Sequence, residues 1–148
     1  MEKARKNIKV TGICIIALAL LKLVASIVNF VTKGVEVPES MITPELTRDA
    51  VYAIMVVAWV VTLILHLPSF YVGFKGLKVA KNPDNSKAHI VWATILLVFA
   101  VISVLSQVGE LSKATDMLDA ILKIVDEVCI GTLYVFYILE AKKIRAGE

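Results

Sequence analysis

The sequence predicts an all-α, polytopic membrane protein, an antiparallel four-helix transmembrane bundle in which residues 1–148 form a single transmembrane domain. Three observations predict it. The chain is 58% hydrophobic and only 20% charged, and its mean hydropathy of +0.79 lies well above that of an ordinary soluble domain. Hydrophobic segments of bilayer length recur four times, two free of charge and two carrying charged residues, each near the roughly 20 helical residues that cross a hydrocarbon core of about 30 Å. Basic residues are concentrated in alternate connections. A length of 148 residues gives no reason to look for a second domain, and disorder is excluded because the chain carries too much apolar surface to leave in water.

The first span, residues 10–32, is long enough but carries Lys22 near its middle. Its basic start and the uncharged run Val10 to Leu21 imitate a signal peptide; the expectation is a retained signal anchor. The second span, residues 50–74, lies in a 25-residue stretch free of formal charge between Asp49 and Lys75, interrupted by His66 and Pro68. Thr43-Pro44-Glu45 offers an N-cap, a proline at the first helical position and an acid in the first turn, so this helix is expected to start outside the membrane. The third span, residues 88–108, occupies 22 uncharged residues between Lys87 and Glu110, after the turn cluster Asn82-Pro83-Asp84-Asn85-Ser86. The fourth, residues 117–139, has only 12 uncharged residues between Glu127 and Glu140, so it takes in Lys123, Asp126 and Glu127.

Orientation follows from Lys and Arg bias in short loops. The N-terminal segment, the loop around Lys75 to Lys87 and the C-terminal tail hold eleven of the 16 basic residues. The two opposite loops hold Lys33, Arg48 and Lys113 against Glu36, Glu39, Glu45, Asp49, Glu110 and Asp116. Both termini are therefore expected in the cytoplasm.

In lipid, close helix contacts favour small residues, and polar groups avoid acyl chains. Small and polar positions at heptad-like spacing mark the expected interior: Gly12, Ala19, Lys22, Ser26 and Asn29; Ala58, Thr62, His66, Ser69 and Gly73; Ala93, Ala100, Ser103 and Gln107; and Asp116, Asp119, Lys123, Asp126 or Glu127, Ile130, Tyr134 and Tyr137. A rise of about 1.5 Å per residue puts Lys22, Thr62, Ser103 and Asp126 all roughly 20 Å from the cytoplasmic ends of their helices. The polarity is expected to open outward, with His66 the only titratable group buried in the inner half.

Each of these groups has a plain reading beside its chemical one. Lys123 reaches Asp119, Asp126 and Glu127 at helical spacing, as structural ion pairs do. Lys22 is harder to dismiss, since a mid-span cation needs a carboxylate at its own depth, for which Asp126 and Glu127 are the candidates. The candidate ligand-binding set is Lys22, Ser26, Asn29, Thr62, Ser103, Lys123, Asp126 and Glu127, with His66 secondary. His66, two residues before Pro68, suits a proton-handling group at a helix distortion, or more simply a neutral ring donating to a neighbouring helix. His89 falls at the cytoplasmic edge, and Trp92, Tyr71 and Tyr137 read as interfacial anchors. Cys14 and Cys129 form no Cys-x-x-Cys pair and read as small buried hydrophobes. No catalytic triad, phosphate loop, zinc spacing or nucleic-acid motif can be assembled, so an enzyme is the least favoured class and no cofactor or metal is expected.

The segment Tyr71-Val72-Gly73-Phe74-Lys75-Gly76-Leu77-Lys78-Val79-Ala80-Lys81, followed by Asn82-Pro83 and a fresh hydrophobic helix, resembles small uncharacterised four-helix membrane proteins of bacteria. That resemblance implies a bacterial inner membrane and no known activity; the longer outer loop with Pro38 and Pro44 and the charged fourth helix depart from it. Two functions compete. One is an outward-opening polar pocket that binds or transports a small polar or charged solute, in a homo-oligomer because four short spans make a thin pore wall. The other is a non-catalytic interaction, assembly or immunity-type protein whose buried charges only fix helix packing. The shared depth of the polar groups favours the first. The expected partners are the lipid bilayer, further copies of the chain and a small solute, with no nucleic acid.

Overall fold

A computed structural model describes residues 2–35, 37–44, 46–82, 87–111 and 117–147. Every regular element in them is helical: α1 (Glu2–Lys33), a 3-10 turn (Glu39–Met41), α2 (Arg48–Leu65), α3 (Leu67–Lys81), α4 (Ala88–Glu110) and α5 (Met117–Ala146). No strand occurs among the described residues. Glu2–Lys33, Arg48–Lys81 and Ala88–Glu110 are each long and apolar enough to cross a membrane. α5 has the length, at 30 residues, but Asp119, Lys123, Asp126 and Glu127 crowd its first half.

Local chemistry explains the boundaries. α1 stops at Gly34, whose φ of 69° only glycine adopts without strain, and the Gly34 amide closes the last turn on the Phe30 carbonyl at 2.9 Å. The start of α2 differs from the expected cap. Thr43 Oγ1 accepts the Leu46 amide in a separate turn at 3.1 Å, and Thr47, four residues later, is the N-cap, accepting the Ala50 amide at 3.4 Å. Glu45 lies outside the described residues, as do residues 83–86 of the expected turn cluster; Asn82, its first member, closes α3 through its amide on the Lys78 carbonyl at 2.9 Å.

The expected second span is interrupted at His66. Pro68 has no amide to donate to the Ile64 carbonyl, and the His66 amide turns to the Leu63 carbonyl at 3.2 Å. Its usual acceptor, the Thr62 carbonyl, is met instead by His66 Nδ1 at 2.7 Å. A carbonyl only accepts, so Nδ1 carries the proton. The histidine thus caps the break in its own helix rather than donating to a neighbouring one.

The chain divides into two compact units, Met1–Leu18 with Pro68–Glu148, and Ala19–Leu67. In the first, four helices contribute to one apolar core: Ala4, Ile8 and Ile15 from α1, Val72 and Val79 from α3, Ala93 from α4, and Tyr134, Tyr137, Ile138, Ala141 and Ile144 from α5. The steps of four and seven residues in α1, of seven in α3 and of three and four in α5 put these positions on one face of each helix. α1 and α3 approach backbone to backbone: a Cβ built on Gly12 would lie 2.9 Å from the Gly73 carbonyl oxygen, and one on Gly73 the same distance from that of Gly12. Glycine at this crossing lets the helices come closer than any side chain permits. Gly131 on α5 differs, since its nearest foreign atoms, on Ala100 and Leu97, would be 3.8 Å from a new methyl. Gly131→Ala is expected to leave thermal unfolding in detergent unchanged or to raise stability by up to about 1 kcal/mol; a clear loss would mean that the α4–α5 contact is tighter than ordinary van der Waals packing.

Exposure along the four expected interior stripes is graded. Gly12, Ala19, Gly73, Ala93, Ala100, Tyr134 and Tyr137 are buried; Lys22, Ser26, His66, Ser69, Ser103, Gln107, Asp126 and Glu127 are half-buried. Asn29, Ala58, Thr62, Asp119 and Lys123 are exposed, against the expectation that they face the interior, and Cys129 is exposed rather than buried. Asp116 lies outside the described residues.

Candidate functional site

Among the described residues, a cleft within Ala19–Leu67 brings two of the expected residues together. Its volume is about 480 Å³, and its lining includes Ser26, Asn29, Phe30, Lys33, Met55 and Trp59. Trp59 organises it. The indole Nε1–H donates to Ser26 Oγ at 3.0 Å, and the ring stacks on Phe30 with centroids 4.0 Å apart and planes 14° from parallel. Ser26 and Phe30 are four residues apart on α1, so one face of that helix presents both the hydroxyl acceptor and the stacking partner. Asn29 and Lys33, also four apart, line the cleft too, and Lys33 is the one formally charged residue among the described lining. The result is a stacked aromatic wall beside an amide, a hydroxyl and an ammonium. Such a set offers apolar contact beside a few directed hydrogen-bonding groups.

Of the nine candidate residues, Ser26 and Asn29 meet in this cleft, while Lys22, Thr62 and His66 share the unit without lining it. The Thr62 hydroxyl is used within its own helix, donating to the Ala58 carbonyl at 2.9 Å. Ser103, Lys123, Asp126 and Glu127 belong to the other unit. There Ser103 Oγ accepts from Gln107 Nε2 at 2.9 Å, and Lys123 pairs with Asp119 at 2.6 Å with both side chains more than half exposed. Glu127 lines a smaller groove of about 280 Å³ between α4 and α5, otherwise mostly apolar and including Ala100, Gly131 and Val135. No group of three His, Cys, Asp or Glu side chains able to hold a metal forms among the described residues.

No known protein family, curated protein or solved structure matches this chain.

Several polar contacts between helices of the first unit involve residues outside the expected site. His89, expected at the cytoplasmic edge, is 1% exposed, and its Nδ1 is 2.9 Å from the Tyr137 hydroxyl. Tyr137 is no interfacial anchor; it is fully buried, edge-on to the imidazole. Ser69 and Tyr134 pair through their hydroxyls at 2.9 Å. Glu140, 7% exposed, accepts from Asn7 at 3.3 Å and from Lys143 at 3.1 Å. His66 is therefore not the only titratable group buried toward the expected cytoplasmic side. The sequence signal for this network was the recurrence of Tyr134, Tyr137, Ala141 and Ile144 at three- and four-residue steps, a periodicity that runs past the predicted end of the fourth span.

Glu140 gives a direct test of this network. Glu140→Ala should lower stability by about 1–3 kcal/mol, because Asn7 and Lys143 lose their shared acceptor. Lys143→Gln, at a half-exposed cation, should cost under about 1 kcal/mol. Equal losses in thermal melts of the two variants would contradict this ranking.

Proposed function

We propose that this is a multi-pass integral protein of a bacterial inner membrane, with both termini in the cytoplasm, whose outward-facing cleft binds or transports a small polar or charged solute without catalysing a reaction on it. The three long apolar helices and the gathering of basic residues in alternate connections support the membrane part of this reading. The observation that carries the solute part is the cleft itself. Ser26 and Asn29, inside the expected first span, and Lys33, just past its end, stand together against a stacked tryptophan and phenylalanine, on a helix otherwise rich in exposed Leu, Val and Ile, and polar side chains within a span are ordinarily kept for a function.

The competing reading, an interaction or assembly protein whose charges only fix packing, is favoured by one observation. The Asp119–Lys123 pair is local to one helix, and the Glu140 contacts tie α1 to α5.

With Trp92 replaced by phenylalanine, Trp59 becomes the sole tryptophan and its fluorescence reports on the cleft. Titration with small amino acids, carboxylates, amines and polyols should change that signal for at least one class, and Lys33→Gln or Asn29→Ala should weaken the response at least tenfold. A flat response to every class favours the assembly reading. Topology is tested separately: a cysteine introduced at Ser40 or Ser112 should react with an impermeant thiol reagent outside intact cells, and one at Asn85 should not. Asn85 and Ser112 lie outside the described residues, as does the Ser40 side chain. Labelling of Asn85 alone would invert the orientation.

A further inference from the structure

The first turns of α1 and the last turns of α5 meet, since Asn7 donates to Glu140 and Ala4 and Ile144 share one core. That meeting gathers Lys3, Arg5 and Lys6 with Lys142, Lys143 and Arg145 at one end of the unit. The described acids there are Glu2 and Glu140, and Glu140 is buried with its carboxylate already taken by Asn7 and Lys143. Lys3, Lys6, Lys142 and Arg145 are all exposed, so the end presents excess positive charge outward. The same two helices then turn apolar. Val10 and Ile13 on α1, and Val135, Phe136 and Leu139 on α5, are each between 41% and 54% exposed.

Cations at one level and bare hydrocarbon at the next have the chemistry of a diacyl phospholipid with an anionic headgroup. We infer that the α1–α5 end is a binding surface for anionic phospholipid, with the exposed Lys and Arg side chains holding the phosphate and the apolar strip below receiving the acyl chains. This rests on the membrane reading above but not on the solute cleft. A zwitterionic lipid offers the same chains without the net charge, so the surface discriminates through the headgroup. A nucleic acid or acidic protein would match the charge alone and leave the strip uncovered.

The test uses the full chain purified in mild detergent and mixed with phosphatidylglycerol or phosphatidylcholine of identical acyl chains, with retained lipid counted by native mass spectrometry. Phosphatidylglycerol should be retained at least severalfold more, and a variant combining Lys3→Gln, Lys6→Gln, Lys142→Gln and Arg145→Gln should lose that preference at least tenfold while keeping its phosphatidylcholine. The four positions are exposed and leave the Asn7–Glu140–Lys143 contacts in place, so folding is preserved; an unchanged melting profile checks this. Lys33→Gln, a charge loss outside this surface, should keep the preference. Equal retention of the two lipids by the parent protein overturns the inference, and so does an equal loss in Lys33→Gln, which would reduce the effect to overall charge. If glycerol phosphate displaces phosphatidylglycerol at equal concentration, the ligand is a free phosphate compound and the lipid assignment falls. Membrane fractionation of cells reads the underlying assumption independently: recovery in the soluble fraction rejects the membrane reading, whereas recovery in membranes without lipid preference rejects only this inference.

Discussion

Gly12→Leu should abolish a folded, monodisperse protein, and even Gly12→Ala or Gly73→Ala should cost about 1–3 kcal/mol in unfolding measured in detergent. The crossing of α1 and α3 explains the size of the effect. A methyl on either glycine would stand 2.9 Å from the carbonyl oxygen of the other, and one on Gly73 would also lie 2.5 Å from Ile16 Cγ1. Backbone oxygen cannot rotate away as a side chain can, so the helices must separate, and separation loses packing on either side of the crossing. A leucine adds three more carbons in the same direction. The contrast is Gly131→Ala, where the same methyl meets nothing nearer than 3.8 Å. Wild-type stability for both Gly12→Ala and Gly73→Ala would show that the close approach does not hold these helices together.

Tyr137→Ala should be comparably damaging, at about 3–5 kcal/mol, because it empties the site of the largest fully buried side chain among the described residues. Tyr137→Phe separates shape from polarity. The ring still fills the space against Gly76, where an added Cβ would lie 2.6 Å from the tyrosine Cε2, but the hydroxyl that meets His89 Nδ1 is gone. The expected loss is about 1–3 kcal/mol for weakening the satisfaction of a buried imidazole. A combined Tyr137→Phe and His89→Leu variant should recover part of that loss, since neither partner then carries a stranded polar atom. Full additivity of the two single losses in thermal melts would mean that the hydrogen bond contributes nothing and that only the ring's volume matters.

The all-helical architecture was legible because it depends on composition and period alone. Twenty uncharged residues form a helix of bilayer length whatever they pack against, and the charged start of α5 was equally visible as a break in the apolar run. The interior positions of small residues, Ala58 excepted, were legible for a related reason. Gly12, Ala19, Gly73, Ala93 and Ala100 are buried as expected, because small side chains repeating along one face have little use except close approach.

What the tertiary structure decided was the identity of the polar partners. Spacing along a single helix places Lys123 four residues from Asp119, and that pair forms. It says nothing about Ser69 with Tyr134, His89 with Tyr137 or Asn7 with Glu140, whose members are 65, 48 and 133 residues apart. Depth counted from a helix end assigns a residue to a layer but not to a face. Thr62 and Ser103 were matched in depth, yet Thr62 spends its hydroxyl on its own helix and Ser103 pairs one turn along α4. Trp59, absent from the sequence-derived site, completes the cleft because the indole donor and ring face meet two residues of α1 that only folding brings within reach. Composition and periodicity determined which helices this chain makes, since those depend on local backbone and solvent preference. The rotation of each helix about its axis, which chooses the partner of every buried polar group, was set only by the simultaneous fit of glycine crossings and aromatic side chains among helices distant in sequence.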